Sequence, residues 1–117
     1  MPGFARHQRL LRPAQFQRVF ADATRAGDQF VTVLARPNGL PHARLGLAVG
    51  RRKITRAARR NTFKRIVRES FRVHQQRLSG LDVVVIAKPA AAAIDRSRLR
   101  ASIDRQWGIL DRKRIAR

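Results

Sequence analysis

The chain has 117 residues, no cysteine and a formal net charge of +20, from 27 Lys and Arg against 7 Asp and Glu. That length holds one domain around one hydrophobic core, and the missing thiols exclude a disulfide framework, a thiolate metal site and a cysteine nucleophile. With 44% hydrophobic residues the chain can fold, and its charge calls for a polyanionic partner: nucleic acid, an anionic membrane or an acidic protein.

Pro13 suits the first position of a helix, after which Phe16, Val19, Phe20 and Ala23 share one face at helical spacing. Gly27 and Asp28 break the chain. Residues 29–35, with Phe30, Val31, Val33 and Leu34, read as a strand. Residues 36–43, with Pro37, Asn38, Gly39 and Pro41, read as a turn. Residues 44–50 (RLGLAVG) read as a second strand, with Leu45, Leu47 and Val49 on one face. Small Gly46 and Ala48 occupy its other face, where another element can come close. These two strands are expected to pair as an antiparallel hairpin.

A basic loop, Arg51-Arg52-Lys53, leads to the longest helix, about 56–78, ended by Ser79 and Gly80. Residues 81–88 (LDVVVIAK) form a nearly continuous apolar run, the mark of a central strand covered on both faces, and Pro89 stops it. The last helix begins near Asp95 as its N-cap and buries Leu99, Ile103, Trp107 and Leu110 at the helical period. The ends, about 1–8 and 112–117, read as flexible basic tails. The order is αββαβα, an α+β fold with helices over a small mixed sheet, one further short strand being allowed for.

Arginine dominates the basic residues, and its planar guanidinium grips phosphate oxygens with two parallel donors and stacks on bases. A membrane-surface protein would instead show an amphipathic helix with bulky exposed apolar residues. No stretch reaches the ~18 apolar residues of a membrane span, and the opening MPGFARHQRLL lacks the apolar run of a secretory signal. Nucleic acid is the partner favoured, in the cytoplasm. The charge concentrates in 51–72, which holds ten Lys or Arg and one acid, Glu69. On a helical wheel Phe63, Ile66, Val67, Ser70, Phe71 and His74 form one face. Asn61, Arg65, Arg68 and Arg72 form the opposite ridge, with Lys64 on its flank. Like charges at this spacing cost an isolated helix a few tenths of a kcal/mol each, a cost that a polyanion relieves. Glu69 is expected to pair with Arg65, Arg72 or Lys53. A solvated face is the bland reading of such a helix, and a DNA recognition helix would carry a similar pattern.

The run Arg60-Asn61-Thr62-Phe63-Lys64-Arg65, continued to Arg72, resembles the signature helix of bacterial ribonuclease P proteins. Three further blocks match in order and spacing: Arg9-Leu10 with Phe16 to Phe20, then Arg44 to Gly50 with Ala57 after the basic loop, then Leu81 to Ala87. The resemblance implies an RNA-binding domain over 1–117 with a left-handed β-α-β crossover around the basic helix, against the usual right-handed preference. It implies that this chain is the protein subunit of an endoribonuclease that removes the 5′ leader from precursor tRNA. In that family the catalytic centre and its Mg²⁺ belong to the RNA subunit, and the protein binds no cofactor of its own for catalysis. By the resemblance, Arg51, Arg52, Lys53, Arg56, Arg59, Arg60, Asn61, Lys64, Arg65, Arg68 and Arg72 bind the RNA subunit. The leader falls to Arg9, Arg12, Phe16, Arg18, Phe20, Phe30 and Val33, with no membrane and no obligate protein partner. One departure stands out: the family's motif is Arg-Asn-Arg, and Thr62 takes the third place.

The rest of the sequence offers no rival chemistry. His7, His42 and His74 are scattered, without a partner for acid–base work or metal-ligand spacing. The seven acids form no recognisable carboxylate cluster for two metals. The alternative reading is a non-catalytic, ribosomal-type structural RNA-binding protein, which leaves the Phe16/Phe20 block ahead of the basic helix unexplained.

Overall fold

The strongest apolar run in the sequence, Leu81 to Ala87, takes the middle of the sheet, and the other strands arrange themselves around it. The computed structural model describes residues 6–10 and 12–115. Its elements are α1 (Pro13–Ala21), β1 (Thr24–Gly27), β2 (Val31–Pro37), β3 (Arg44–Ala48), α2 (Ala57–His74), β4 (Leu81–Ala87) and α3 (Arg96–Ile115). Short 3-10 turns lie at Arg6–Gln8 and Pro89–Ala92. The fold is mixed α+β, with β1 as the further short strand, and the spatial strand order is β1-β2-β4-β3.

The expected hairpin between the second and third strands does not form. β4 lies between them, antiparallel to β2 and parallel to β3, with α2 in the β3-to-β4 connection. A strand this apolar at an edge would leave its backbone groups and side chains unpaired, so it takes a neighbour on each side. The hairpin is β1–β2 instead. Asp28 closes it, its Oδ1 accepting the Phe30 and Val31 N–H groups at 2.9 and 3.2 Å. That turn delays the strand expected from residue 29 to Val31.

Two cores result from the alternation of side chains across the sheet. Val31, Val33, Ala35, Leu45, Val83 and Val85 face α2 and α3, meeting Phe63, Val67, Phe71, Leu99, Ile103 and Trp107. On the opposite face Val84, with Leu34, Ile86 and Ala48, meets Leu10, Val19 and Phe16. α1 covers part of this second face.

The long helix ends at His74 rather than near 78, with turns through to Gly80, whose φ of +83° suits glycine. Its inner face is the predicted one: Phe63, Ile66, Val67, Ser70 and Phe71 are buried. A buried polar link holds it to α3, Trp107 Nε1 donating to Ser70 Oγ at 2.7 Å and Ser70 Oγ donating to Asp104. Asp95 caps α3 through the Arg98 N–H at 2.8 Å.

The C-terminal residues 112–115, expected to fray, continue α3. Lys113 Nζ donates to Arg25 O, and Arg114 Nη2 donates to Ser79 O at 2.6 Å, pinning the last turn to two other elements. At the other end, 6–8 form a turn, while 1–5, 116 and 117 lie outside the described residues. Glu69 makes no ion pair among the described residues, contrary to expectation.

Candidate RNA interface

The exposed ridge of α2 forms as the wheel predicts, because burying Phe63, Val67 and Phe71 turns the opposite side outward. Asn61, Arg65 and Arg68 are exposed, with Lys64 and Arg72 half-buried at the flanks. Arg51, Arg52, Lys53 and Arg56 are exposed in the loop before the helix. Arg59 and Arg60 are partly engaged within the protein. Arg59 Nη1 donates to Ala92 O at 2.7 Å, while Arg60 Nη1 donates to Ile54 O and Thr55 O at 2.9 Å each. The Arg60 bonds hold the end of the loop that carries Arg51 to Lys53, and the Arg59 bond ties α2 to the turn after β4. Thr62 Oγ1 donates back to Ala58 O at 3.0 Å, and the residue lines a shallow hollow with Ala91 and Ile94.

A second surface lies on the opposite side of the sheet. Phe16 packs over Gly46 of β3, where only a glycine leaves room for its ring. Phe20, one turn on, is 51% exposed. It borders a groove floored by Leu34 and Ile86 and edged by Thr32 and Arg25. Arg18 is exposed on the outer side of α1, its carbonyl accepting Arg36 Nη1 at 3.1 Å.

Two of the expected groove residues are elsewhere. Val33 is fully buried in the main core, and Phe30 packs against that same core, both on the α2/α3 side of the sheet. Successive strand residues alternate between faces, so a register misjudged by one places a side chain on the wrong side. Leu34 and Ile86 take the places that the sequence reading gave to Val33 and Phe30. Alternation counted outward from Val31, Val33 and Ala35 as core would have found Leu34.

At the start of α1 the two surfaces approach each other. Arg9 makes a parallel bridge to Leu45 at the outer edge of β3, and with Arg12, His7, His42 and Arg44 it lines an open cleft. Arg68, although exposed, has enough protein about it that desolvation holds its guanidinium below the ordinary value, and the charge of Arg9 adds to this. Arg44 is held the other way. Its fork on Asp82, at 2.7 Å through both Nε and Nη2, raises its pKa despite burial. Asn38 Nδ2 adds a third bond to Asp82 at 3.0 Å.

The histidines serve the structure. His7 and His42 stack edge to face at 5.0 Å, with His42 Nε2 donating to His7 O at 3.1 Å. His74 Nδ1 donates to Ser70 O at 2.8 Å. Among the described residues no three His, Asp or Glu side chains are grouped to hold a metal ion, and no helix is long and apolar enough to cross a membrane. What the arrangement offers chemically is phosphate binding on α2 and stacking beside α1.

The ribonuclease P family model matches residues 4–111. The ribonuclease P protein component of Methylococcus capsulatus is 47% identical over 111 residues, covering 95% of this chain and 87% of the relative. That of Photobacterium profundum is 50% identical over 109 residues, covering 93% and 92%. Among solved structures, the RNase P protein of Staphylococcus aureus superposes with a TM-score of 0.81 at 28% identity, covering 87% of this chain and 94% of that one. The Thermotoga maritima RNase P protein gives 0.75 at 32% identity, covering 88% and 98%. The match runs over nearly its whole length, and the chain belongs to the ribonuclease P protein family.

Proposed function

We propose that the chain docks on the catalytic RNA of ribonuclease P through the α2 ridge and the loop before it, and holds the 5′ leader of precursor tRNA in the groove beside α1. As a member of this family it is the protein subunit of an endoribonuclease whose catalytic centre lies in the RNA. The Mg²⁺ that the reaction uses belongs to that RNA, and the site of action is the cytoplasm. No step is assigned to a side chain of this protein. Its part is to bring substrate and RNA together and to neutralise phosphate charge between them.

The observation that carries the leader assignment is Phe20. A half-exposed aromatic ring beside Leu34 and Ile86, with Arg25 at the rim, is a stacking floor with a cation at its edge. Single-stranded RNA binds such floors at about 1–3 kcal/mol per stacked base. The lining draws on α1, β1, β2 and β4, a surface broad enough for more than one nucleotide.

The test is reconstitution with the cognate RNA at limiting Mg²⁺, using precursors with a leader of several nucleotides and of one nucleotide. Added protein is expected to raise affinity and cleavage more for the long leader. Equal enhancement of both precursors would remove the leader from the groove. Leader removal by the protein without RNA would overturn the RNA-centred chemistry.

A further inference from the structure

Arg36 reaches from β2 to the last turn of α1, its Nη1 donating to Arg18 O at 3.1 Å. Thr32, Leu34 and Arg36 alternate onto the face of the sheet that α1 covers, and Thr32 and Leu34 belong to the groove beside Phe20. An arginine at this place has an acid next to it in register, Asp82 of β4. Asp82 is held from its other side, by the Arg44 fork at 2.7 Å and by Asn38 at 3.0 Å. Half-buried Arg36 turns to the helix instead.

The two ends of α1 are fastened differently. At its start the Leu10 N–H donates to Leu45 O at 3.0 Å, and the Phe16 ring is packed tightly over Gly46. Toward its end Val19 is fully buried, while Phe20 is half in solvent. Burial of Val19 holds the turn down on the sheet but is non-directional, whereas a hydrogen bond has a preferred distance and angle and fixes where the turn sits. The carbonyls of the last turn carry the negative end of the helix dipole, which favours a cation there. The C-cap is Asp22, an acid, and its charge sharpens that preference. Arg36 supplies the cation from another element. Arg18, whose carbonyl takes the bond, stands next to Val19 and just ahead of Phe20 in the helix.

We infer that Arg36 is a positioning residue for the leader: through the last turn of α1 it holds the Phe20 ring beside Leu34 and Ile86 where a base can stack, without itself touching RNA. The inference rests on the leader groove proposed above and adds the group that steadies its helical wall. Arg36 is not among the residues lining the groove. A ring half out of the protein takes its position from the backbone that carries it, since its own packing is slight. Stacking is sensitive to that position, because a gap of about 0.5–1 Å forfeits about a quarter to a half of a dispersion contact. Loosening the turn therefore weakens leader binding while Val19 and Phe16 keep α1 on the sheet.

The experiment uses the holoenzyme reconstituted with the cognate RNA and precursors with a leader of several nucleotides and of one nucleotide. The variants are Arg36→Gln, Arg36→Lys, Phe20→Ala and the double variant Arg36→Gln with Phe20→Ala, each confirmed folded by thermal unfolding. Arg36→Gln is expected to weaken binding of the long-leader precursor about three- to fivefold, the worth of a cation at a helix C-terminus. Binding of the short-leader precursor and the cleavage rate at saturation should not change. Arg36→Lys keeps a cation and a donor and should restore part of the loss. In the Phe20→Ala background Arg36→Gln should add nothing, since the ring it positions is gone. The log–log salt slope should stay that of the wild type; a slope shallower by about 0.7 would make Arg36 a direct phosphate ligand and overturn the inference. A loss that adds in full to that of Phe20→Ala, or that the short-leader precursor shares, overturns it too. If Phe20→Ala weakens the long-leader complex and Arg36→Gln does not, the positioning role is refuted and the leader groove stands. If neither weakens it, the leader reading itself fails and this inference with it.

Discussion

The Phe16 ring lies against Gly46 so closely that a Cβ added to the glycine would stand 2.6 Å from Phe16 Cε1 and 2.8 Å from Cζ. Gly46→Ala therefore pushes α1 away from β3, an overpacking that costs about 1–3 kcal/mol. Urea unfolding should show that loss. Leader affinity should fall with it, because the groove wall moves, while RNA-subunit affinity stays. Unchanged stability would mean that α1 adjusts without strain.

Phe20 separates binding from folding more cleanly. Its ring is half in solvent, so Phe20→Ala is expected to change stability by no more than about 0.5 kcal/mol. Leader-dependent affinity should drop by about 1–3 kcal/mol, the value of one stacked base. The comparison is a binding titration with long-leader and leaderless precursors; a loss shared by both would place Phe20 outside the leader path.

Thr62→Arg restores the arginine usual in the family's motif. Thr62 now spends its hydroxyl on Ala58 O within its own helix, and that bond is of little consequence. The added guanidinium is expected to tighten RNA-subunit binding by on the order of 1 kcal/mol, through one charge-assisted contact. A filter-binding series at high salt measures it, and weaker binding by the variant would contradict the assignment.

Asp28 makes the fold acid-sensitive. Burial pushes its carboxyl up, but hydrogen bonds from Ser102 Oγ and the Phe30 and Val31 N–H groups, with the charge of Arg105, outweigh burial and hold it below the ordinary 3.8. A carboxylate lowered by folding contributes stability that is fully present above its unfolded-state value and is lost as pH falls through the folded-state value. Asp28→Asn is expected to be less stable at neutral pH by about 1–2 kcal/mol, with the gap closing in acid below the ordinary carboxylate range. Chemical unfolding at several pH values tests this, and a gap constant with pH would count against it.

Ser70→Ala leaves Trp107 Nε1–H buried without its acceptor. The expected cost is about 1–3 kcal/mol, which lowers Tm by on the order of 4 °C per kcal/mol. Calorimetry reads this directly. RNA affinity of the folded variant at low temperature should match the wild type, since neither residue reaches the surface.

Much of this architecture was legible in the residues. The two faces of α2, the central position of β4, the Asp95 cap and the closeness allowed by Gly46 each follow from one local pattern. The failures share a cause as well. β1 is four residues, Thr24–Gly27, with one buried side chain, too short for an alternation to show. Val33 and Leu34 are both apolar, so composition does not say which faces α1; the pairing with β4 decides it. The tail after Asp111 looked free because the carbonyls that hold Lys113 and Arg114 belong to Arg25 and Ser79, far away in the chain. The site followed suit: α2 came from one helix's periodicity, whereas the groove floor needed the register of two strands.

The insertion of β4 between β2 and β3 has a consequence for how the protein comes off the ribosome. Until Leu81 to Ala87 are synthesised, β2 lacks one of its neighbours and β3 has no other strand beside it. The β1–β2 hairpin can form early, but β3 and the whole of α2 must wait, uncovered, for a strand made later. Pairings between segments this distant in sequence close slowly, and a half-made chain of high positive charge is free to meet polyanions before its surfaces exist. Productive assembly with RNA is therefore tied to completion of the chain: a nascent protein stalled before residue 81 presents the arginines of α2 without the sheet that gives them their spacing.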